Sequence, residues 1–223
     1  YYDAKVVRYF VALTQKLGFE PIILPFKPNG KAMHIKGFLT RFSKTAKTQA
    51  EFLNRIAKLN VPLVGVDSAI VLSYRDEYKE ALGDSRGDFH VLTAHEWLTN
   101  QLESNTLQSA VKNIAKSDRT FEWHLFPHCT ESTFMPNSPK EWQKIFAQFG
   151  QTLKVEKVGC CGMAGVFGHE VQNQTMSKDI YDVSWGKKLQ GKDPNHCLAT
   201  GYSCRSQVKR YEKAILKHPV QAL

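Results

Sequence analysis

The stretch Gly159-Cys160-Cys161-Gly162-Met163-Ala164-Gly165-Val166-Phe167-Gly168-His169-Glu170 sets two of the chain's five cysteines side by side among four glycines. Glycine lets a backbone turn sharply or approach a bound group closely. Neighbouring side chains start out pointing apart, so adjacent cysteines fit poorly on one tetrahedral ion. They fit more easily on two irons of one cluster, where each thiolate needs only its own iron. The stretch therefore predicts a loop built around a metal centre.

Two further cysteines lie at spacings that suit the same centre. Cys129 precedes the pair by about thirty residues and Cys204 follows it by about forty, each after a short apolar run typical of a strand. We therefore predict that Cys129, Cys160, Cys161 and Cys204 are the metal ligands. Four thiolates complete the set for a 4Fe-4S cluster, and they would also form a closed zinc site.

This order of cysteines, with a central Cys-Cys-Gly, resembles the CCG cysteine-rich domain. That domain occurs in heterodisulfide reductase, in the iron-sulfur subunit of glycolate oxidase, and at the C-terminus of long FAD-linked dehydrogenases. The segments 159–165 and 203–207, with the ending 217–223, are most similar to the last group.

The resemblance implies an iron-sulfur electron-transfer domain of a flavin-dependent dehydrogenase that oxidises D-2-hydroxy acids such as D-lactate or D-2-hydroxyglutarate. FAD would lie on an upstream domain, and the cluster would pass electrons singly towards a quinone or a carrier protein. The chain has no glycine-rich dinucleotide fingerprint, so we expect no substrate chemistry within it.

The chain departs from the family pattern at one ligand position. Gly201 stands where the family often has the first cysteine of its CxxC pair, which leaves only Cys204 there. Cys197 is either a substitute ligand or a small buried apolar residue. Three histidines close to cysteines are candidates for a replacement ligand or for ordinary hydrogen bonding, and two basic residues could offset thiolate charge. The histidines are His128, His169 and His196, and the basic residues are Arg205 and Lys157.

Composition and charge limit the other classes of function. The formal charge is +9, but the lysines and arginines are scattered without interleaved aromatics, which argues against nucleic-acid binding. The charge suits a solvated surface or a face that docks on an acidic partner domain. No signal peptide and no transmembrane segment is apparent. We therefore expect a cytoplasmic location, with peripheral attachment at the inner membrane as the alternative. The resemblance to long dehydrogenases implies that the chain is a fragment of a larger polypeptide.

Short apolar strands alternating with helices predict an α/β fold with mostly parallel sheets flanked by helices. The predicted strands are 19–26, 61–66, 121–126, 152–159 and 197–201. The predicted helices are 3–17, 34–59, 67–81, 89–116 and 139–150, with another after Cys204.

The two halves of this pattern match each other, which predicts two pseudo-repeated Rossmann-like lobes, residues 1–83 and 84–223. Residues 27–30 stand where the second lobe has the cysteine pair, and residues 67–70 stand where it has Cys204. The first lobe holds no cysteine, so we predict one metal centre at the loops that follow the strands of the second.

Two alternatives to electron transfer remain open from the residues. One is a structural zinc domain for docking, and the other is thiol-disulfide chemistry at the adjacent pair Cys160 and Cys161. A zincin site at His95-Glu96 is excluded, because Thr99 stands where the second histidine is required.

Overall fold

The computed structural model describes residues 3–103, 107–114 and 122–223. The chain forms two compact units, one of residues 1–21 with 94–223 and the other of residues 22–93. These compact units differ in their bounds from the predicted lobes, whose duplicated origin stays a prediction. Within the described ranges, no helix is both long and apolar enough to cross a membrane.

The larger unit begins with helix α1 (Ala4–Lys16), as predicted, and ends it at Gly18, whose φ of 90° is in the left-handed region. Asp3 precedes the helix, but its side chain pairs with Arg205 and makes no capping hydrogen bond. This pair therefore fastens the start of the chain to its C-terminal region.

The smaller unit packs helices on a two-stranded parallel sheet, β1 paired with β2 in the register Val64 to Leu92. Its core is formed by Phe42, Leu53, Val71, Tyr78 and Phe89 with their apolar neighbours. The elements are α2 (Lys31–Ile35), α3 (Leu39–Ala57), β1 (Leu63–Gly65), α4 (Ser68–Arg75), α5 (Glu77–Leu82) and β2 (Val91–Thr93).

Four predictions for this unit are corrected by the structure. The single helix predicted at 67–81 is divided into α4 and α5 at Asp76. Residues 19–26 form no strand, because Pro21 and Pro25 lack the N–H that a strand ladder needs. The predicted helix 34–59 is broken between α2 and α3 at Gly37, which has a φ of 75°. The predicted helical region from residue 89 begins instead with strand β2, and its end at residue 116 lies outside the described residues.

The rest of the larger unit carries the cysteines. Its three strands are all parallel in the order β4-β3-β5, with helices on the connections. The elements are α6 (Ala94–Glu103), α7 (Gln108–Ile114), β3 (Glu122–Phe126), α8 (Cys129–Phe134), α9 (Ser138–Gln148), β4 (Thr152–Val155), α10 (Gln174–Tyr181), α11 (Lys187–Leu189), β5 (Cys197–Ala199) and α12 (Tyr202–Glu212).

The predicted α/β fold with parallel sheets is confirmed. The three strands predicted for the second lobe are present, although β4 ends at Val155 instead of residue 159 and β5 at Ala199 instead of residue 201. Strand β2 was not predicted, and Phe121, the first residue of the strand predicted at 121–126, lies outside the described residues. Leu125 of β3 pairs with Val155 of β4 and Leu198 of β5, so the carboxyl ends of the three strands meet at one edge. That edge is where open parallel sheets place ligands.

The N-cap of α4 provides a test of local stability. The Asp67 side chain accepts a hydrogen bond from the Ile70 N–H at 3.0 Å, whereas Asp76 precedes α5 without a side-chain capping bond. We expect Asp67→Ala to lower the free energy of unfolding by about 1 kcal/mol and Asp76→Ala to have a much smaller effect. Urea denaturation followed by circular dichroism measures both, and equal losses would contradict the capping role.

Candidate metal centre

The four predicted ligands lie on three loops at the carboxyl edge of the β4-β3-β5 sheet. Cys129 begins α8 three residues after the end of β3, and Cys160 and Cys161 lie in the loop after β4. Cys204 lies in the first turn of α12, which follows β5. The parallel topology therefore brings together cysteines that are far apart in sequence.

The four thiols are neighbours that influence one another's pKa. Cys160 interacts with Cys129 and Cys161, and Cys161 interacts in turn with Cys204. Hydrogen bonds from these two thiols, and from the Gly162 and Ala164 backbone N–H groups, hold the pKa of Cys160 far below that of a free thiol. The Gly162 N–H lies 3.3 Å from the Cys160 Sγ. The pKa values of Cys129 and Cys161 are raised, first by their hydrogen bonds to Cys160 and then by burial.

The four thiols extend from the core to the surface. Cys161 and Cys204 are buried among Phe126, Met163 and Trp185, whereas Cys129 and Cys160 are partly exposed. All five cysteines of the chain are free thiols. The site therefore combines a low-dielectric inner half with an outer half that a partner could approach.

Gly162 is required by the packing beneath the cysteine loop. Its φ is 82°, and a Cβ there would collide with the backbone carbonyl oxygen of Ser177 on α10. The Ser177 hydroxyl donates to the Gly162 carbonyl oxygen at 2.7 Å. The Gln207 amide of α12 donates to both the Cys161 carbonyl oxygen and the Ser177 hydroxyl, at 3.0 and 2.9 Å. This network fixes the loop of the cysteine pair to the helix that carries Cys204.

The start of the same loop is held by a π-helical turn, Asp182–Gly186. The Trp185 indole donates to the Gly159 carbonyl oxygen at 3.1 Å, and the Gly159 N–H donates to the Ser184 hydroxyl at 2.7 Å. π-Helical turns are rare in proteins, and those that occur often lie at functional sites. Both ends of the cysteine loop are thus anchored before any group binds.

His128 fills the space that a side chain at position 201 would need. A Cβ on Gly201 would overlap the imidazole ring of the buried His128. The His128 N–H also donates to the Thr200 hydroxyl at 2.9 Å, which ties the loop after β3 to the loop after β5. Gly201, which stands where the family often has a cysteine, therefore leaves room for the His128 ring. No local sequence signal reveals this fit.

A buried polar network supports the helix that begins at Cys129. His95 lies between Glu131 of α8 and Glu141 of α9, with nitrogen-to-oxygen distances of 4.0 and 3.3 Å. The Ser138 hydroxyl also donates to Glu131, whose side chain is almost fully buried. His95 thus joins three helices, a role that the sequence analysis missed because the pattern was tested only for zinc binding.

The other candidate residues have different surroundings. Cys197 is buried in β5 and none of the other four cysteines contributes to its pKa, which burial raises to about 11. Arg205 donates to the carbonyl oxygens of Ala199 and Thr200 and pairs with Asp3, so the expected pairing with thiolate charge is replaced by a structural contact. His196 packs against the Trp123 ring, and His169 and Lys157 are exposed.

The donor set fits an iron-sulfur cluster in its chemistry, its number and its placement on three loops. In the described ranges, however, no group of three or more histidine, cysteine or acidic side chains is arranged to hold a metal ion as it stands. The thiols of the three loops interact with one another instead. Cluster binding would replace these contacts with bonds from each thiolate to its own iron.

The fold and the site define an α/β protein with four cysteine thiols at one sheet edge. Comparison with known proteins shows more specifically what the chain is similar to. The chain is 80% identical over all 223 residues to D-2-hydroxyglutarate dehydrogenase of Haemophilus influenzae, of which it covers 22%. It is 57% identical over its whole length to D-2-hydroxyglutarate dehydrogenase of Escherichia coli K12, of which it covers 21%. The chain therefore spans about a fifth of the length of these curated relatives and is homologous to one part of a long dehydrogenase.

A more distant similarity involves a protein with a different name. The chain is 23% identical over 204 residues to one subunit of the anaerobic glycerol-3-phosphate dehydrogenase of Escherichia coli K12, covering 87% of the chain and 48% of that protein. No family model matches the chain. The relatives indicate that the chain corresponds to part of an oxidoreductase. The evidence for a metal centre comes from the residues alone.

Replacing Gly162 tests the packing of the cysteine loop. Gly162→Ala combines left-handed strain of roughly 1–3 kcal/mol with the collision at Ser177. Gly150→Ala is the matched control, because Gly150 has a φ of 69° and open space around its Cβ position. We expect Gly162→Ala to destabilise the protein by at least about 2 kcal/mol more than the control. Urea denaturation measures the difference, and equal losses would show that the collision is relieved without cost.

The contact between His128 and position 201 is tested by a double-mutant cycle. Gly201→Ala should cost about 1–3 kcal/mol through overpacking, and this cost should largely disappear when His128→Ala removes the ring. Unfolding free energies of the two single variants and the double variant give the coupling. Additive losses would mean that the imidazole does not occupy this space.

Proposed function

We propose that this chain is the iron-sulfur electron-transfer part of a flavin-dependent dehydrogenase that oxidises a D-2-hydroxy acid of the D-2-hydroxyglutarate type. Cys129, Cys160, Cys161 and Cys204 would hold one 4Fe-4S cluster. FAD on the remainder of the polypeptide would take electrons from the substrate, and a quinone or carrier protein would accept them. The observation that carries the proposal is the convergence of four cysteines, two of them adjacent in sequence, from three loops at one sheet edge.

The surroundings of the thiols suit a relay of single electrons, which is the chemistry that a bound cluster supplies. Cys161 and Cys204 lie in the apolar core, where burial influences the reduction potential. Cys129 and Cys160 lie near the surface, which would shorten the path to a donor or acceptor. The N–H groups of Gly162 and Ala164 donate to the Cys160 sulfur and would stabilise its negative charge in the bound state.

The proposal also includes the first half of the chain, which has no cysteine. If residues 1–83 and 84–223 descend from one duplicated unit, only the second half keeps the ligands, and one centre is expected per chain. The substrate reaction would take place on the remainder of the dehydrogenase and not among these residues.

A structural zinc site is the second candidate, because four neighbouring thiols could also close on one tetrahedral ion, with zinc-sulfur bonds of about 2.3 Å. The adjacency of Cys160 and Cys161 favours the cluster. In the zinc alternative, the centre would fasten the three loops as a docking module, and all redox chemistry would lie elsewhere.

The test is metal analysis of the full-length protein purified anaerobically, with Cys129→Ala and Cys204→Ala variants. We expect about four irons and four acid-labile sulfides per chain, falling by at least half in both variants because each removes one ligand. Cys197→Ala is the matched control for Cys204→Ala, since Cys197 is as buried as Cys204 but none of the other four cysteines influences its pKa.

The outcomes separate the two candidates. About one zinc per chain without sulfide would contradict the cluster and support the structural site. Loss of iron in Cys197→Ala, with retention in Cys204→Ala, would contradict the ligand assignment while keeping the cluster.

A further inference from the structure

An unusual exposed segment lies at the start of the smaller unit. Residues 20–28 have no regular secondary structure, and three of their large apolar side chains are mostly in solvent. Ile22 is 83% exposed, Ile23 is 66% exposed and Phe26 is 84% exposed. Leu24 packs on the core of the unit, and the Lys27 ammonium lies over the Phe52 ring at 5.0 Å. The segment is thus anchored at these residues and presents Ile22, Ile23 and Phe26 outward.

The backbone of this segment is also unpaired in the described chain. No N–H or carbonyl group of residues 20–28 takes part in a backbone hydrogen bond. Yet the run Pro-Ile-Ile-Leu-Pro-Phe has the apolar composition of a segment buried on both sides. Sequence and exposure conflict unless something outside these residues covers the segment.

Other apolar side chains of the smaller unit are exposed as well. Phe38, Leu39 and Leu59 are each more than half exposed. The sheet of this unit has two parallel strands, which is fewer than most sheets have. Parallel sheets are also normally covered on both faces. Exposed apolar surface of this extent marks an interaction site.

The charge around the apolar segment indicates what kind of surface covers it. Residues 27–47 contain six basic and no acidic side chains. Arg41 lies over the ring of the exposed Phe38 at 5.8 Å, so a basic group borders one of the exposed apolar side chains of this unit. A complementary surface would have an apolar centre and an acidic rim.

We propose that the segment of residues 22–26 docks against the remaining part of the same dehydrogenase polypeptide, on an apolar surface bordered by acidic side chains. The chain spans only 22% of the length of its relative from Haemophilus influenzae, so about four fifths of such a protein could supply that surface. This docking depends on the similarity to long dehydrogenases and not on the metal centre. It goes beyond electron transfer, because it names the face through which this part is held to the rest.

The test uses the full-length protein with p-benzoylphenylalanine in place of Ile23, and with the same photoreactive residue in place of Val171 as a control. Val171 is 81% exposed in the larger unit, so the two sites match in exposure. We expect irradiation to link position 23, and not position 171, to residues outside this 223-residue region. Mixing normal and ¹⁵N-labelled protein shows whether each link lies within one polypeptide.

Hydrogen exchange on the same full-length protein gives an independent readout. We expect the amides of Ile22, Ile23, Leu24 and Phe26 to exchange at least tenfold more slowly than an unpaired exposed amide, and Phe26→Asp to remove this protection. Val171→Asp should leave it unchanged.

Several results would overturn the proposal. One is exchange of residues 22–26 at the rate of an unpaired amide, with no link from position 23. Another is a link only between two copies, which would indicate self-association. Protection that appears only with vesicles of anionic phospholipid would indicate a membrane-binding segment instead. None of these results changes the iron and sulfide content, so failure of this proposal is distinguishable from failure of the cluster.

Discussion

The parallel register of β4, β3 and β5 is the constraint on which the thiol site depends. Because Leu125 pairs with both Val155 and Leu198, the three following loops leave the sheet at one edge. Cys129, the cysteine pair and Cys204 are thereby brought into contact although about seventy-five residues separate the first from the last. The hydrogen bond from the His128 N–H to Thr200 then fixes the outer loops to each other.

The second requirement is the close approach of the cysteine loop to its supporting helices. Gly162 lies against the Ser177 carbonyl, where no other residue would fit, and Gln207 joins the loop to the helix of Cys204. Rigid anchoring of this kind positions ligands for a metal before it binds. The same anchoring serves a zinc site and an iron-sulfur cluster, so the scaffold alone does not choose between them.

The sequence predicted the parts of this structure that depend on local pattern and chain order. The strands before Cys129 and Cys204 and the contact of four cysteines followed from apolar runs, spacing and family resemblance. Residues 19–26 were predicted wrongly, because an apolar run indicates burial without showing what covers it and because Pro21 and Pro25 prevent strand pairing. The His95 network and the fit of His128 to Gly201 arise from tertiary packing between distant residues, which no periodicity encodes.

X-ray absorption at the iron and zinc edges of anaerobically purified full-length protein tests the central claim most directly. The account predicts an iron site with sulfur neighbours and a second shell of iron, because the four thiolates would share one 4Fe-4S cluster. Both shells should be diminished in Cys204→Ala and retained in Cys197→Ala. A zinc edge with four sulfur neighbours and no iron would contradict the account and leave this chain as a structural part of its dehydrogenase.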